Sequence, residues 1–417
     1  MTKKTIFIGC SDVASIYKDF RRSFESLGYK VLTYADFPSN SQIIQKDKYD
    51  YILNDYLPSF LKFNKNEKLN KLKKYLLYFI RGFFAKNILK EVINEVDIFL
   101  FKFNSMYFTS NDLKYIKKHN KKIVFVFCGD DARWYYGMKQ EFEMLGLEPV
   151  EYGKEYLYNA LGLYLRLNKI RKAEKYADFL FSKREQAQIQ IRPFYHYPML
   201  VNPNDYTIKE KNNTKVKIVH APSHTSIKGS SFILKAIDEL KQEGLEFEFE
   251  LLQNKNHKEL VKMLSETDIL IDQLFLPGGG KLSTEALASG CLVMTNMSYE
   301  IYNQGIDLSE CPIVDVNKSN IKENLREFIL DNEKRKSISN RGKDFVEKFL
   351  DVDIFTKIID SLLIGTKIEF TYKPDFFTTY FVPESIPAKL MYNHYNKLVR
   401  NEDWYYSDKY TNTNMDW

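Results

Sequence analysis

One stretch of the chain combines residue types that suit a phosphate ligand. Residues 268–291 read DILIDQLFLPGGGKLSTEALASGC. An apolar run from Ile269 to Leu274 predicts a strand, and a helix is predicted from Lys281. Between them lie three glycines, Gly278, Gly279 and Gly280. Without Cβ atoms, such a loop can point successive N–H groups at an anion, and the helix adds the positive end of its dipole. The alternative is a flexible turn that binds no ligand.

One acidic residue follows this loop. Glu285 lies in the predicted helix, about one and a half turns beyond the last glycine. A carboxylate in that position can accept hydrogen bonds from a ribose diol. A loop for phosphates followed by a carboxylate for ribose indicates a nucleotide.

A second strand, loop and helix lie upstream. The run Val216 to His220 predicts a strand, and a loop with Lys228 and Gly229 follows it. The next helix is amphipathic, with apolar residues at Phe232, Leu234, Ile237 and Leu240. Ligands of open parallel sheets collect at the carboxyl ends of strands, so the two loops can hold one nucleotide from both sides, with Lys228 on its phosphates. The alternative for Lys228 is a solvated loop lysine.

Taken together, these motifs resemble the retaining GT-B glycosyltransferases of glycosyltransferase family four. The matching residues are Lys228-Gly229, Asp268-Ile269 and Glu285-Ala286-Leu287-Ala288-Ser289-Gly290. The resemblance covers about residues 215–350 and, less closely, the N-terminal half. It implies that Lys228 and Gly229 bind the donor diphosphate, that Glu285 binds the ribose, and that Gly278 and Gly280 belong to the same donor loop.

The chain departs from the family pattern at two points. The family has a second glutamate, which contacts the donor sugar, where this chain has Pro277. The family also has a phosphate-binding arginine just before the lysine, where this chain has Ser223 and His224. His224 can donate a hydrogen bond to a phosphate, but the predicted site carries one fixed positive charge fewer.

Composition and length indicate a folded protein of two domains. The chain has 417 residues, of which 44% are hydrophobic. Its four cysteines, at positions 10, 128, 291 and 311, show no metal-ligand spacing and predict reduced thiols in a cytosolic protein. The N-terminal apolar run is short, which predicts neither a signal peptide nor a transmembrane span.

Positive charge is concentrated in residues 61–90, which hold nine basic residues and one acidic residue. Apolar residues recur there at helical spacing, so the segment predicts a basic amphipathic helix. One interpretation places it on an anionic membrane surface. The other packs its apolar face on the N-terminal sheet. Nucleic acid is disfavoured, because no recognition module accompanies the basic run.

The order of predicted elements gives the architecture. Strands and helices alternate in both halves, which predicts an α/β fold of doubly wound parallel sheets. The resemblance implies more specifically a GT-B fold, in which two Rossmann-like domains face a central cleft. The predicted boundaries are an acceptor domain at 1–200, a nucleotide-sugar domain at 215–350, and a crossover helix with an aromatic C-terminal extension at 351–417.

Loops at the predicted strand ends of the N-terminal domain supply further candidates. Gly9 follows the first strand, where N–H groups can meet the donor. Asp130, Asp131 and Arg133 follow the strand that ends at Phe127. One of the aspartates could take the proton from an attacking acceptor hydroxyl, and the cluster could orient that acceptor. The alternative is a helix cap with an internal Asp–Arg pair. Cys128 stands where related enzymes often carry a histidine.

The sequence therefore predicts a glycosyltransferase. By resemblance, it moves a sugar from a UDP- or GDP-type donor to a glycan or lipid-linked acceptor in surface polysaccharide biosynthesis, with retention of configuration. No cluster of His, Cys or Asp has metal-ligand spacing, and no Asp-x-Asp motif of the metal-dependent GT-A type is evident, so we expect transfer without a metal or other cofactor. We expect a cytoplasmic protein, peripheral at the inner face of the plasma membrane.

Two other classes stay open. A GT-B-like subunit that binds a nucleotide or glycan without turnover would account for the missing acid at Pro277 and the missing arginine. A nucleotide-sugar epimerase has a similar architecture, but no acidic and histidine catalytic set is evident for it.

Overall fold

A computed structural model of the chain describes residues 4–12, 16–36, 49–59, 71–107, 110–144, 146–147, 160–209, 214–253, 257–298, 310–372 and 374. Side chains are described for these residues except 71–79, 81, 160, 161, 227 and 258. The chain divides into two compact units. Unit 1 takes its residues from Met1–Met138, Lys154–Tyr197 and Ile359–Trp417, and unit 2 from Lys139–Gly153 and Pro198–Ile358.

Unit 1 is built on a parallel sheet of seven strands among its described residues. The strands are β1 (Thr5–Cys10), β2 (Lys30–Ala35), β3 (Tyr51–Ile52), β4 (Ile98–Lys102), β5 (Lys122–Val126), β6 (Phe179–Ser182) and β7 (Tyr195–His196). Their order is β3-β2-β1-β4-β5-β6-β7, and every neighbouring pair is parallel. The central strands are buried on both faces, as expected where helices cover a parallel sheet. The direction of winding changes between β1 and β4.

Five helices belong wholly or partly to this unit in the described part of the chain. They are α1 (Tyr17–Ser26), α2 (Lys71–Val92), α3 (Asn111–Lys118), α4 (Tyr135–Met144), which runs on into unit 2, and α5 (Ala160–Tyr176). Side chains from α2, α3 and α5 share one apolar core with β1, β4 and β5.

The C-terminal half of α2 shows how the basic segment is used. Ala85, Ile88, Leu89 and Val92 are 0–1% exposed and lie in the core of unit 1. That part of the helix follows the packing interpretation, not the membrane interpretation. Phe83 points outward, with 69% of its surface exposed. Residues 61–70 and the side chains of 71–79, which carry most of the predicted basic face, lie outside what the structure describes. No helix among the described residues has the length and apolar character that a bilayer crossing requires.

Unit 2 contains a second parallel sheet, of five strands among the residues described. The strands are β8 (Val216–His220), β9 (Phe247–Leu251), β10 (Ile269–Ile271), β11 (Leu292–Thr295) and β12 (Ile313–Asp315), in the order β12-β11-β10-β8-β9. The first strand, β8, lies between β9 and β10, so the winding direction changes between β8 and β10. Two parallel sheets with alternating helices confirm the predicted α/β class.

Eight helices accompany this sheet in the described part of the chain. They are α6 (Thr225–Lys228), α7 (Ser230–Gln242), α8 (His257–Leu264), α9 (Lys281–Ala288), α10 (Ile321–Leu330), α11 (Asn332–Ser339), α12 (Gly342–Phe345) and α13 (Val352–Leu363), whose last residues belong to unit 1. Apolar side chains from α9 and the sheet form the core of this unit.

Three helices end in the same way before a strand. After α7, Gly244 has φ of +85° and Leu245 N–H donates to Leu240 O at 3.2 Å. After α9, Gly290 has φ of +76° and Cys291 N–H donates to Ala286 O at 2.9 Å. The same arrangement, at Gly28, follows α1. These glycines adopt the left-handed conformation that closes a helix end and turns the chain into the next strand.

The start of the predicted aromatic extension packs on unit 1. Phe194 N–H donates to Tyr372 O at 3.1 Å, and the two rings lie 5.3 Å apart. The ring of Phe370 lies 4.9 Å from that of Tyr195 on β7. The prediction for residues 375–417 lies outside the described residues.

Candidate functional site

The candidate donor site of unit 2 forms where β8 and β10 lie side by side. The two strands are in register, with His220 opposite Ile271. Their following segments leave the sheet at the same carboxyl edge, at the point where the winding direction changes. Ligands of doubly wound sheets bind at such a point.

Lys228 and Asp272 meet at this edge. The Lys228 ammonium donates to Asp272 Oδ1, and Asp272 is fully buried while Lys228 retains 14% of its side-chain surface. Asp272 Oδ2 accepts from Gly280 N–H at 2.9 Å and from Ser283 Oγ at 2.7 Å. Burial raises the pKa of Asp272, but the charge of Lys228 and these hydrogen bonds outweigh burial, so its pKa lies below the usual value. The carboxylate therefore fixes the lysine and the start of α9 to each other.

The three glycines pack the loop closely onto these groups. A Cβ on Gly280 would lie 3.1 Å from Asp272 Oδ2, and one on Gly279 would lie 2.8 Å from Ser283 Cβ. Gly278 has φ of +84°, and its N–H donates to Asn296 O at 2.7 Å. The loop thus approaches the α9 N-terminus as the sequence predicts. The N–H of Gly280 is already used by Asp272, so an anion at α9 must use the N–H groups of the following turn.

Glu285 is held in a network on the second turn of α9. It is 2% exposed, and its Oε1 accepts from His257 Nε2 at 2.8 Å and from Tyr206 Oη at 3.2 Å. The Lys281 ammonium lies 3.9 Å from the same oxygen. His257 itself is 44% exposed. Of the groups in this network, the His257 imidazole is the one that is substantially exposed.

Two further predicted donor residues, His224 and Gly229, lie on either side of the short helix that ends at Lys228. His224 precedes α6 and is exposed, and its carbonyl accepts from Lys228 N–H at 3.0 Å. Lys228 is thus the last residue of a short helix and does not lie in an open loop, which corrects the prediction. Gly229 has φ of +73°, and a Cβ there would lie 3.0 Å from Leu274 Cβ. Its lack of a side chain lets α6 pack on the segment that follows β10.

In unit 1, Asp131 is tied to the backbone. It is 2% exposed and accepts from Cys128 N–H at 2.9 Å and from Gly129 N–H at 2.7 Å. Burial raises its pKa, and the charge of Lys169 opposes that shift. These bonds are not a helix cap, because they come from residues before Asp131 and not from the first turn of α4. The Asp131 carboxylate instead holds the turn that follows β5.

Asp130 and Arg133 form the internal pair that the sequence allowed. Arg133 Nη1 donates to Asp130 Oδ1 at 2.9 Å, and the Tyr135 hydroxyl donates to the same oxygen. The Asp130 side chain is 63% exposed, so its carboxylate remains accessible to a ligand. Of the two aspartates, Asp130 is the better placed for proton transfer.

Gly9 does not lie in a loop. It is inside β1, opposite Phe101 of β4, and the strand continues to Cys10. A Cβ on Gly9 would lie 3.1 Å from the Tyr34 ring. The sequence prediction that its N–H lies in a ligand-facing loop is therefore wrong: close packing against β2 accounts for the glycine.

Sequence reasoning missed three residues of the unit 2 site. Asp272 is a charged residue directly after an apolar strand, which was a usable signal. His257 and Tyr206 reach Glu285 across 28 and 79 residues of chain, and no local pattern marks such contacts. Among the described residues, no group of three or more His, Cys, Asp or Glu could hold a metal ion.

Neither protein-family models nor curated proteins match the chain. Solved structures do. Sucrose-phosphate synthase from Thermosynechococcus elongatus superposes with a TM-score of 0.59 at 11% identity, over 88% of this chain and 100% of that one. HepE from Anabaena, in complex with UDP and glucose, gives 0.53 at 12% identity, over 87% and 100%. A Listeria monocytogenes protein proposed to be a UDP-N-acetylglucosamine 2-epimerase gives 0.51 at 11%, over 88% and 98%.

At these identities the similarity establishes the fold. The chain has two Rossmann-like units of the GT-B type, as the sequence predicts. The narrower resemblance to family four and the retaining outcome stay predictions.

Proposed function

We propose that the chain is a glycosyltransferase that binds the diphosphate of a nucleotide-sugar donor at the junction of β8 and β10. One observation carries the proposal: Lys228, the N-terminus of α9 and Glu285 are arranged around one carboxyl edge of the unit 2 sheet. Asp272 bridges the first two, through Lys228 and Gly280. The GT-B fold supports a nucleotide-sugar site, as does the similar structure of HepE with UDP and glucose.

The chemistry of this site is electrostatic. When the bond from the anomeric carbon to the diphosphate breaks, its electron pair stays on the phosphate oxygen. Lys228 and the N–H groups of the first turn of α9 are positioned to stabilise that charge. No metal ligand set is needed for this step, so we propose metal-independent transfer.

Glu285 completes the nucleotide contact in this proposal. Its carboxylate accepts hydrogen bonds from the ribose hydroxyls. These hydrogen bonds either replace those from Tyr206 and His257 or form in addition to them. Pro277, where the family has a sugar-binding acid, is buried in the loop. Contacts to the transferred sugar must therefore come from other groups.

We assign acceptor binding to residues of unit 1. We propose that Asp130 takes the proton of the attacking hydroxyl, while Asp131 and Arg133 position the loop that carries it. The acceptor class is a glycan or lipid-linked glycan in surface polysaccharide biosynthesis at the cytoplasmic face of the membrane, supported by the basic charge of residues 61–90. Flotation with anionic and neutral liposomes tests the membrane part: binding that ignores lipid charge and salt would contradict it.

Nucleotide binding tests the donor site. We expect thermal stabilisation by UDP or GDP that exceeds the effect of ADP and CMP. The preferred diphosphate should bind more tightly than its 2′-deoxy form, and Glu285→Gln should remove most of this preference. Lys228→Met should weaken binding of every diphosphate by about tenfold or more. Glu266→Gln, at an exposed carboxylate of the same unit, is the matched control and should change neither. Equal binding by Glu285→Gln and wild type would refute the ribose assignment.

Turnover separates the remaining classes. Incubation with a panel of UDP- and GDP-sugars should release free nucleotide slowly, and should transfer sugar when an acceptor is present. Tight nucleotide binding with no release across the panel would favour a non-catalytic binding subunit. A changed sugar configuration in the recovered nucleotide sugar would favour an epimerase, which is the activity proposed for the Listeria monocytogenes protein of similar fold.

A further inference from the structure

An exposed histidine contacts the buried carboxylate of the candidate donor site. His257 Nε2 lies 2.8 Å from Glu285 Oε1, and the Tyr206 hydroxyl donates to the same oxygen at 3.2 Å. Glu285 and Tyr206 are both buried, whereas 44% of the His257 side chain is exposed. A ligand that approaches Glu285 from solvent therefore meets the imidazole before it meets the carboxylate.

His257 reaches this position from a third strand of the unit 2 sheet. β9 lies beside β8, which lies beside β10, and the three strands are parallel. The segments that follow β9, β8 and β10 carry His257, Lys228 and Glu285, respectively. All three segments leave the sheet at the same carboxyl edge. The contact between His257 and Glu285 thus joins the segments on either side of the one that carries Lys228.

The carboxylate determines which nitrogen of the imidazole carries a proton. A carboxylate can only accept, so His257 donates to Glu285 from Nε2. In the neutral imidazole the other nitrogen, Nδ1, then has a lone pair and no proton. Nδ1 makes no hydrogen bond with any residue in the part of the chain that the structure describes. An acceptor on an exposed ring suits a hydroxyl group, and it does not suit a phosphate oxygen, which is itself an acceptor.

Glu285 does not depend on His257 for a hydrogen bond. Tyr206 already supplies a buried donor to the same oxygen, and it does so from a residue 79 positions away in the chain. A buried acceptor that has one such partner is satisfied. The imidazole is therefore available for a role toward the ligand, with its ring held in place by the carboxylate.

We propose that His257 contacts the ribose of the bound nucleotide and selects for its hydroxyls. One hydroxyl of the ribose diol donates to Nδ1, while Nε2 stays bonded to Glu285. This inference rests on the proposed donor site and deepens it, because it makes the ribose contact additional to the existing hydrogen bond from His257. Glu285 then acts partly through His257, by fixing the tautomer that accepts the hydroxyl.

Calorimetric titration of the full chain tests this contact, at pH 8, where histidine side chains are ordinarily neutral. The probes are UDP and 2′,3′-dideoxy-UDP, which lacks both ribose hydroxyls. The guanosine pair replaces them if GDP binds more tightly than UDP. Wild type should bind the ribonucleotide about tenfold or more tightly than the dideoxy form.

His257→Gln separates a contact with ribose from support of Glu285. The glutamine can still donate to Glu285, but it has no acceptor at the position of Nδ1. It should therefore reduce the preference for the ribonucleotide by about threefold or more. A histidine that served only to support Glu285 would leave the preference unchanged. His119→Gln is the matched control, at an exposed histidine of unit 1 whose Nδ1 lies 2.9 Å from Tyr115 O.

Histidine ¹⁵N spectra of the wild-type chain give a second readout. The chain has six histidines, and the His257 signals are those that His257→Gln lacks. In the free protein this ring should carry its proton on Nε2 and none on Nδ1. UDP should shift the Nδ1 resonance, and 2′,3′-dideoxy-UDP should not. Equal shifts with the two nucleotides would contradict a hydroxyl contact at Nδ1.

The outcomes distinguish this contact from the donor site as a whole. His257→Gln should unfold at the wild-type temperature without nucleotide, because its side chain is exposed. If wild type binds neither UDP nor GDP, or binds each as tightly as its dideoxy form, the proposed donor site fails and the role of His257 fails with it. If wild type prefers the ribonucleotide, and Glu285→Gln loses that preference while His257→Gln keeps it in full, the donor site stands and the role of His257 is refuted.

Discussion

Lys228 and Asp272 form an ion pair at the junction of β8 and β10, and the second oxygen of the same carboxylate holds Gly280 N–H at 2.9 Å. One buried side chain thus sets both the lysine and the helix N-terminus of the candidate donor site. It also places a negative charge beside the position proposed for a diphosphate. Stability and anion affinity are therefore opposed at Asp272.

Asp272→Asn should separate these two effects. Loss of the buried charge that pairs with Lys228 should lower the free energy of unfolding by about 3 kcal/mol in urea titration. The same change should tighten UDP binding by about threefold to tenfold, because the cation is no longer neutralised. Asp268→Asn is the control, since Asp268 accepts from Lys217 N–H at the opposite end of β10. It should cost stability without tightening UDP binding. If Asp272→Asn weakens UDP binding as Lys228→Met does, the Asp272 charge does not oppose anion binding.

Gly229→Ala tests the packing of α6 on the segment after β10. Gly229 and Gly244 both have positive φ, so alanine at either position should cost about 1 kcal/mol. Only at Gly229 would the new Cβ meet another group, at 3.0 Å from Leu274. Overpacking there should add about 1–3 kcal/mol and displace Lys228, which lowers UDP affinity. Gly244→Ala supplies the matched control. Equal losses in urea unfolding for the two variants would show that the contact with Leu274 does not matter.

The pKa of Lys169 gives a pH prediction for stability. It lies near 8 in the folded chain because of burial, against about 10.4 in the unfolded chain. Between these values the unfolded chain binds more protons, so the free energy of unfolding rises with pH. The groups that act on it are Asp131, Arg166 and Cys128, and the Cys128 thiol, with its pKa near 12, stays protonated over this range.

The measurement compares wild type with Lys169→Met from pH 7 to 9 by urea unfolding under reducing conditions. Wild type should gain stability relative to the variant as the pH passes 8. A difference between the two proteins that stays flat with pH would contradict the assigned burial of this lysine.

Local sequence patterns predicted most of the fold. The strand Val216–His220 forms where its pattern places it, and the helix expected from Lys281 begins at that residue. The strand predicted from Ile269 to Leu274 ends at Ile271 instead. After that point Leu274 N–H donates to Lys228 O at 3.2 Å, and a contact with a different segment replaces the sheet ladder. Apolar periodicity cannot anticipate this contact.

The candidate site was predictable only in part, for the same reason. Glycines and Glu285 carry local signals, because loop flexibility and helical spacing are local properties. The partner of Lys228 lies 44 residues further along the chain. That pairing follows from the strand order β10-β8, which places two distant segments at one edge. The prediction for Gly9 was wrong because a glycine needed for close packing looks the same in sequence as one needed for a ligand.

Asp130 and Asp131 are adjacent in sequence but differ in their surroundings, and substitution should show different consequences. Asp131→Asn removes a charged acceptor from two partly buried N–H groups and should cost about 2 kcal/mol of unfolding free energy. Asp130→Asn, at an exposed carboxylate, should change stability by less than about 0.5 kcal/mol. If Asp130 takes the acceptor proton, its variant should lose about 100-fold or more in kcat while UDP affinity is retained. Glu143→Gln, on an exposed part of α4, serves as the surface control. A fully active Asp130→Asn, beside a folded but inactive Asp131→Asn, would move the base to Asp131, which would then have to release the backbone of Gly129 during turnover.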